Sequence, residues 1–225
     1  MSELFSIQLQ NRQQQGGDGV WLDLPTTTEQ VQVALRQIGI SSDNPQGLFI
    51  SGYFAEEEKR FAISYNMVLA SNVDELNFLA SRLETLSTGE RAELNAALQA
   101  PQSELFSIGR ITDFPENVDY YVHLPDVTGT GQLGDYYLNR SGMVDMPEEW
   151  KGGIDTAQFG RYVAQQEQGA FTEYGYLVKS GDEWQKVHEG QPVPEEYRVL
   201  SFPAPEVLRD SANIPPPVQP ETEPQ

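Results

Sequence analysis

Residues 19–39 read GVWLDLPTTTEQVQVALRQIG, and they predict a strand followed directly by a helix. Apolar residues alternate with other types up to Pro25, which is typical of a short strand that ends in a turn. The threonines at 26–28 then offer N-cap hydroxyls, and Glu29 lies in the first turn of the helix. One face of that helix consists of Val31, Ala34, Leu35 and Ile38, and Gly39 is suited to end it.

Elements beyond this pair predict an α+β fold. Strands are expected at 48–54 and 61–65, and helices at 74–86 and 88–98. The later elements are predicted as strands at 105–108, 119–124, 171–178, 183–187 and 197–202 and as helices at 133–138 and 155–166. Because strands and helices do not alternate regularly, a parallel sheet is not expected. We predict three small consecutive domains, namely an N-terminal α+β domain at 1–66, a central helical domain at 67–102 and a C-terminal α+β domain at 103–202.

The two ends of the chain differ from this globular part. Seven of the 23 residues at 203–225 are proline, which predicts a disordered Pro-rich tail. Residues 1–17 are polar and rich in glutamine and lack the basic and apolar regions of a secretory signal, so a cytoplasmic protein is expected. The hexapeptide SELFSI at 2–7 recurs at 103–108, and one interpretation is a duplicated opening strand, although the flanking residues do not repeat.

Composition restricts the classes of partner and chemistry. The chain has 34 Asp plus Glu against 14 Lys plus Arg, a formal charge of −20. Nucleic acids and anionic membranes are polyanions, so direct binding to either is not expected, and a basic partner is favoured. The sequence has no cysteine and only two histidines, His123 and His188, which removes thiolate metal sites and histidine clusters. We expect no metal and no cofactor.

The negative charge is densest in the middle of the chain, where residues 101–150 carry nine acids and two bases. These acids lie singly or in pairs among residues that a fold can order, so they can present separate charges at intervals, as phosphates do along DNA. One charge per ~1.7 Å of duplex means that about 20 charges correspond to roughly 34 Å of DNA. The alternative is an acidic surface that only keeps the protein soluble. The candidate partner-binding, phosphate-mimicking carboxylates are Glu56, Glu57, Glu58, Asp74, Glu75, Glu104, Asp113, Glu116, Asp119, Asp126, Asp135, Asp145, Glu148, Glu149 and Asp155.

Two motifs could carry catalytic or cofactor chemistry. Residues 129–134, GTGQLG, match G-x-G-x-x-G, but the surrounding pattern lacks the βαβ unit of a dinucleotide site, so we interpret the glycines as a turn. Asp145 with Glu148 or Glu149 could form the carboxylate pair of a glycosidase, yet such pairs arise by chance among 34 acids. We therefore assign no catalytic residue and do not expect an enzyme.

Several short segments, in this order, resemble the ArdA family of antirestriction proteins. They begin with VWLDLP at 20–25 and continue with Ile38-Gly39, Phe49-Ile50, DELN at 74–77 and Leu79-Ala80, LGDY at 133–136, Ile154-Asp155, FGR at 159–161, Gly169, Phe171-Thr172 and Gly175-Tyr176. The resemblance implies an elongated, curved dimer of three small α+β domains that mimics bent DNA and occupies the DNA-binding groove of Type I restriction–modification enzymes. It also implies a protein carried by a mobile genetic element or phage. Residues from about 179 onward depart from the family pattern.

Three functional hypotheses follow. The leading one is a non-catalytic DNA mimic whose distributed carboxylates compete for the basic DNA-binding cleft of a Type I restriction–modification enzyme. The alternative is a DNA mimic that inhibits another defence system or DNA-binding protein, such as a CRISPR effector or a transcription factor. The second alternative is a carboxylate-based hydrolase, which would require two acids in a concave pocket with perturbed pKa values.

Overall fold

The first half of the chain forms an antiparallel sheet with one helix packed on it. This computed structural model describes residues 3–14 and 17–205. Strands β1 (Phe5–Asn11), β2 (Val20–Leu24) and β3 (Leu48–Phe54) pair in the order β2-β1-β3, and helix α1 (Thr28–Gln37) follows β2. The predicted strand and helix of residues 19–39 are therefore confirmed. Thr27 and Gln30 form a capping box, and Gly39 has a φ of +66°, the left-handed geometry that ends the helix.

The central strand of this sheet was anticipated only in part, by the interpretation of residues 2–7 as an opening strand. Residues 1–17 contain many glutamines, yet Phe5, Ile7 and Leu9 of β1 are fully buried, whereas Gln8 and Gln10 are partly exposed. This alternation places one face of β1 on the core. The rest of the strand was missed because amide side chains lower the mean hydropathy of the segment without disturbing its period of two.

The two predicted helices of the middle region are confirmed, and one further helix precedes them. Helix α2 (Tyr65–Leu69) precedes α3 (Val73–Glu84) and α4 (Thr88–Gln99), and capping boxes at Asn72 and Ser87 begin the last two. The strand predicted at 61–65 is wrong. Phe61 and Ile63 are buried, but Ala62 donates its backbone N–H to the Asn95 Oδ1 atom at 2.8 Å instead of to a neighbouring strand.

A second antiparallel sheet lies in the C-terminal half. Its strands β4 (Tyr121–Leu124), β5 (Ala170–Thr172) and β6 (Gly175–Lys179) pair in the order β4-β6-β5. Helix α5 (Ile108–Thr112) precedes this sheet, and α6 (Thr130–Asp135), a π-helical turn at Tyr136–Arg140, α7 (Glu148–Lys151) and α8 (Thr156–Glu167) lie between β4 and β5. The predicted helices at 133–138 and 155–166 are thereby confirmed.

Several expectations for this half are wrong. Residues 105–108 form no strand, because the Ser107 hydroxyl caps α5, so the repeated hexapeptide has a different conformation at each of its two places. The glycines of the GTGQLG motif form no turn: Gly129 is the N-cap of α6, and Gly131 and Gly134 lie within that helix.

The residues after β6 contain neither of the two predicted strands, at 183–187 and at 197–202. Residues 180–205, called the C-terminal segment below, are irregular apart from a 3₁₀ turn at Glu195–Tyr197. Backbone groups of this segment bond mainly to side chains of the folded body, which a sequence pattern does not reveal. The disordered tail was predicted from residue 203, but Pro203 is buried and accepts a hydrogen bond from the Ser42 N–H at 2.9 Å. The remainder of that prediction, residues 206–225, lies outside the described residues.

One hydrophobic cluster joins most of the molecule. It extends from Leu4 to Val199 and includes buried residues from each of the three segments predicted as domains, while Val127, Leu133 and Tyr176 form a second, smaller cluster. The fold is α+β, and the division into three domains stays a prediction. No helix among residues 3–14 and 17–205 is long and apolar enough to cross a membrane.

Candidate partner-binding surface

Six of the predicted carboxylates are exposed and have no ion-pair partner among the described residues. They are Glu57, Glu58, Asp119, Asp126, Asp145 and Glu149. The first two lie on a 3₁₀ turn at Glu57–Lys59, and the other four lie on turns and short helices on either side of α6. Short exposed turns hold these charges at separate points on the surface, where a cationic partner can reach them.

Five further predicted carboxylates are largely exposed but already interact locally. Glu56 pairs with Lys59 at 3.0 Å, Glu148 with Lys151 at 2.6 Å and Asp135 with Arg140 at 3.5 Å. Glu75 accepts a hydrogen bond from the Asn72 backbone N–H at the start of α3, and Asp155 accepts backbone N–H groups in the first turn of α8. Exposed pairs of this kind contribute little free energy, so a competing cation can displace the local one.

Asp113 and Asp74 do not lie on an open surface. Asp113 has no exposed area, and its two carboxylate oxygens accept backbone N–H groups of Val187, His188 and Glu189 at 3.3, 2.6 and 3.1 Å. The Asp74 Oδ1 atom accepts two N–H groups of the C-terminal segment, both at 2.7 Å. We leave both out of the proposed surface because their acceptor atoms hold the fold together.

Glu104 and Glu116 are engaged by cations of the same chain. Glu104 contacts Lys179, Arg110 and the Tyr120 hydroxyl, and the hydrogen bond from Lys179 holds the pKa of Glu104 below its usual value. Glu116 forms an ion pair with Arg82. These two acids are therefore partly neutralised in the free protein.

One constellation has the residue types of a metal site. Ligand atoms of Asp113, Glu116 and His188 lie within 4.8 Å of one another. The chemistry does not favour a cation, however, because three backbone N–H groups already donate to Asp113 and the Arg82 guanidinium lies against Glu116. We assign no metal to these residues.

Two cavities of similar size are lined by described residues. One, of about 400 Å³, lies between α3, α5 and the C-terminal segment and includes Glu75, His188 and Glu189. The other, of about 380 Å³, lies beside β6 and includes Glu167 and Lys179. The Glu167 carboxylate accepts hydrogen bonds from the Tyr137 and Tyr176 hydroxyls, and burial together with these bonds raises the pKa of both phenols. The acid pair named for a glycosidase lines neither cavity.

Sequence patterns missed two groups of acids. Asp182, Glu183, Glu195 and Glu196 are exposed on the C-terminal segment, and their only signal was acidic charge in a stretch that also carries bases. Glu93 on α4 is unusual because desolvation, together with the charges of Glu90 and Asp119, raises its pKa to about 8. No feature of the sequence indicates that Glu93 is partly buried beside two other acids.

Comparison with known proteins gives one clear result. The family model described as "Antirestriction protein (ArdA)" matches residues 17–178. This match includes β2 to β5, all of β6 except its last residue and all eight α-helices of the part of the chain that the structure describes. Strand β1, at Phe5–Asn11, precedes the matched residues, and the C-terminal segment follows them. A search of curated proteins found no match. Because the matched residues make up well over half of the sequence, the chain belongs to the ArdA family of antirestriction proteins.

Proposed function

We propose that this protein is a DNA mimic that occupies the DNA-binding groove of a Type I restriction–modification enzyme. Family membership supports an antirestriction role. The observation that carries the mimic mechanism is the group of six exposed carboxylates, from Glu57 to Glu149, that have no ion-pair partner within residues 3–14 and 17–205. Negative charges held at separate points by folded turns resemble the phosphates that a DNA-binding cleft accepts.

The proposed mechanism is electrostatic competition and involves no catalysis. A polyanion in solution is surrounded by cations. When Lys and Arg side chains of a DNA-binding groove neutralise its charges, these cations are released. Carboxylates of this protein would fill the same positions without presenting a cleavable bond. Affinity should therefore fall steeply as the salt concentration rises.

The remaining parts of the proposal concern the setting. We propose a homodimer that acts in the cytoplasm, binds neither nucleic acid nor membrane directly, and is carried by a phage or other mobile element. Its formal charge of −20 disfavours contact with other polyanions, which supports the choice of a basic protein as the partner.

A competition experiment tests the mechanism. A purified Type I restriction–modification enzyme is bound to labelled DNA, and the protein is titrated at about 50 and 200 mM salt, a range over which contacts to several phosphates weaken strongly. Displacement near stoichiometric concentration that weakens at the higher salt is the expected result. Failure of the folded protein to displace DNA at either salt concentration would exclude this enzyme class as the target.

The other hypotheses lead to different outcomes. A mimic of another target would leave the Type I enzyme unaffected but would retain a CRISPR effector or a transcription factor on an affinity column, from which salt would release it. A carboxylate hydrolase would turn over a substrate and would lose activity on substitution of two acids in one cavity. The exposed positions of Asp145, Glu148 and Glu149 give that hypothesis no support.

A further inference from the structure

The C-terminal segment connects the two sheets of the molecule. It begins beside β4, where Ser180 donates its backbone N–H to the Tyr120 carbonyl at 3.0 Å. It ends beside α1, where the Gln32 side chain bonds to the Ser201 hydroxyl at 3.2 Å and Ser42 donates to the Pro203 carbonyl. Residues 180–205 thus cross from the second sheet to the first without forming a strand in either.

Side chains of the folded body bind the backbone of its first half. Asn117 accepts the Gln185 N–H at 2.7 Å and donates its amide to the Gln185 carbonyl at 3.0 Å, so both backbone groups of one residue are satisfied. Asp113 then accepts three successive N–H groups at 187–189. A carboxylate with three such donors forms the stronger, charge-assisted class of hydrogen bond.

Arg110 adds a second attachment in this half. The residue is only 8% exposed, and its Cζ atom lies 4.9 Å from the centroid of the Trp184 ring and 5.2 Å from that of the Phe106 ring. It also forms ion pairs with Glu104 at 3.3 Å and with Glu189 at 4.0 Å. Two residues of the C-terminal segment, Trp184 and Glu189, are therefore held by one buried cation of the body.

The second half is attached to α3. Asp74 accepts the N–H groups of Val199 and Leu200, and the Asn77 amide donates to the Tyr197 carbonyl at 3.1 Å. The opposite end of the Asn77 side chain accepts the Thr26 N–H at 2.7 Å. Asn77 therefore links the turn after β2 directly to the C-terminal segment.

We propose that residues 180–205 act as an intramolecular strap that fixes the first sheet and α1 relative to the second sheet. Its main attachment points are two pairs, Asp113 with Asn117 and Asp74 with Asn77, and the side chains of each pair form hydrogen bonds with backbone groups of the strap. The strap lies outside residues 17–178 that match the family model, so it is an addition to the matched unit. The strap also fixes the distance between Glu57–Glu58 and the acids around α6. That this distance matters for inhibition rests on the proposed function.

The test measures the distance between the two halves of the full-length chain. Since the sequence has no cysteine, Gln37→Cys on α1 and Gln165→Cys on α8 place two spin labels at unique exposed sites. Hydrogen exchange of the amides at 187–189 and 199–200 reports attachment of the strap in the same samples. The anchor variant is Asp74→Ala with Asp113→Ala, which removes the acceptor oxygens of both side chains. The matched control is Asp126→Ala with Asp145→Ala, which removes the same charge from exposed sites away from the strap contacts.

We expect the anchor variant to exchange strap amides at least about tenfold faster than the control and to have a broader distribution of label distances. A distribution as narrow as that of the control, with the strap amides released, would overturn the proposal. Unchanged exchange would overturn it as well, because the two carboxylates would then not be anchors.

A second variant covers the case in which the anchor variant does not fold. A protease recognition sequence is inserted between Gly190 and Gln191, which are both exposed, and the folded protein is cut after labelling. Both halves of the strap keep their anchors, but the connection between them is lost. The distance distribution should broaden on cutting; an unchanged distribution would show that the strap does not join the two sheets mechanically. Neither readout depends on inhibition of a restriction enzyme.

Discussion

Gly134 and Gly160 face each other where α6 crosses α8, and the two backbones are in direct contact. A Cβ atom on Gly160 would lie 2.6 Å from the Gly134 nitrogen and 1.9 Å from the Thr130 oxygen, and one on Gly134 would lie 1.9 Å from the Thr156 oxygen. Both glycines belong to the short segments on which the family resemblance rests. Their role is close packing of two helices, which no other residue permits.

Gly160→Ala should therefore lower the free energy of unfolding by about 2–3 kcal/mol, because the helices must move apart to admit a methyl group. Urea denaturation followed by circular dichroism measures the change. Gly131→Ala on α6 is the matched control, since a Cβ there has no neighbour within 4 Å, and it should be neutral or stabilising by up to about 1 kcal/mol. Equal stability of the two variants would contradict the close crossing.

Arg110→Met should destabilise the protein by about 1.5–3 kcal/mol, because Glu104 and Glu189 lose their buried cation and keep only the lysine partners Lys179 and Lys186. Arg110→Lys keeps the charge but loses the planar contact with Trp184, so we expect an intermediate loss. Thermal unfolding of both variants provides the comparison. Arg140→Lys, in the exposed pair with Asp135, should change stability by less than about 0.5 kcal/mol. The prediction fails if Arg110→Met unfolds at the wild-type temperature.

Glu93 should make the protein less stable as the pH rises. Its pKa is raised from 4.5 to about 8 in the fold, so between these values the folded state binds more protons than the unfolded state. The free energy of unfolding then falls with increasing pH through this window. Glu93→Gln removes this pH dependence. Between pH 5 and pH 8.5 the free energy of unfolding of the variant should therefore rise by at least about 1 kcal/mol relative to wild type, a figure discounted for partial solvent exposure.

Denaturation curves of wild type and Glu93→Gln at several pH values give this difference directly. Glu84→Gln on α3 is a control for removal of one carboxylate from a helix of the same region. A difference between wild type and Glu93→Gln that is independent of pH would show that the Glu93 carboxyl titrates normally.

Neutralising exposed carboxylates should reduce the magnitude of the binding free energy in proportion to the number of charges removed. Under the proposed mechanism each exposed charge contributes roughly 0.5 kcal/mol, so Asp119→Asn, Asp126→Asn, Asp145→Asn and Glu149→Gln together should weaken binding about 30-fold. The displacement assay on a Type I enzyme measures this loss. The matched control exchanges the same four residues between Asp and Glu and should bind nearly as well as wild type. A single substitution that abolishes inhibition in a folded protein would contradict a distributed mechanism.

Local elements could be predicted where neighbouring residues alone determine them. The strand and helix of residues 19–39 follow from a period of two, a proline and an N-cap threonine, all within one stretch of chain. The strands predicted at 183–187 and 197–202 were wrong for the opposite reason. Backbone N–H groups in and beside these two stretches donate to side chains of Asp113, Asn117 and Asp74, which lie about 70 to 125 residues away in sequence, and not to a neighbouring strand.

In the candidate site, too, local sequence identifies some properties and distant contacts decide others. Charge density around residues 101–150 selected Asp119, Asp126, Asp145 and Glu149, which are exposed in the structure, and their part in binding stays a prediction. It could not distinguish them from Asp113, which is equally acidic in sequence but has no exposed area. Asp113 is buried because residues 187–189, which lie far away in sequence, cover its carboxylate and donate their backbone N–H groups to it.

The amino-acid sequence alone was sufficient to establish the net charge, the absence of thiol chemistry, the α+β class and the resemblance to the ArdA family. Each of these depends on composition or on order along the chain. Tertiary structure decided which acids are free, how closely Gly134 approaches Gly160, and where the C-terminal segment lies. These properties depend on contacts between residues far apart in sequence, and the free energy of such contacts is set by distance and desolvation in the folded state.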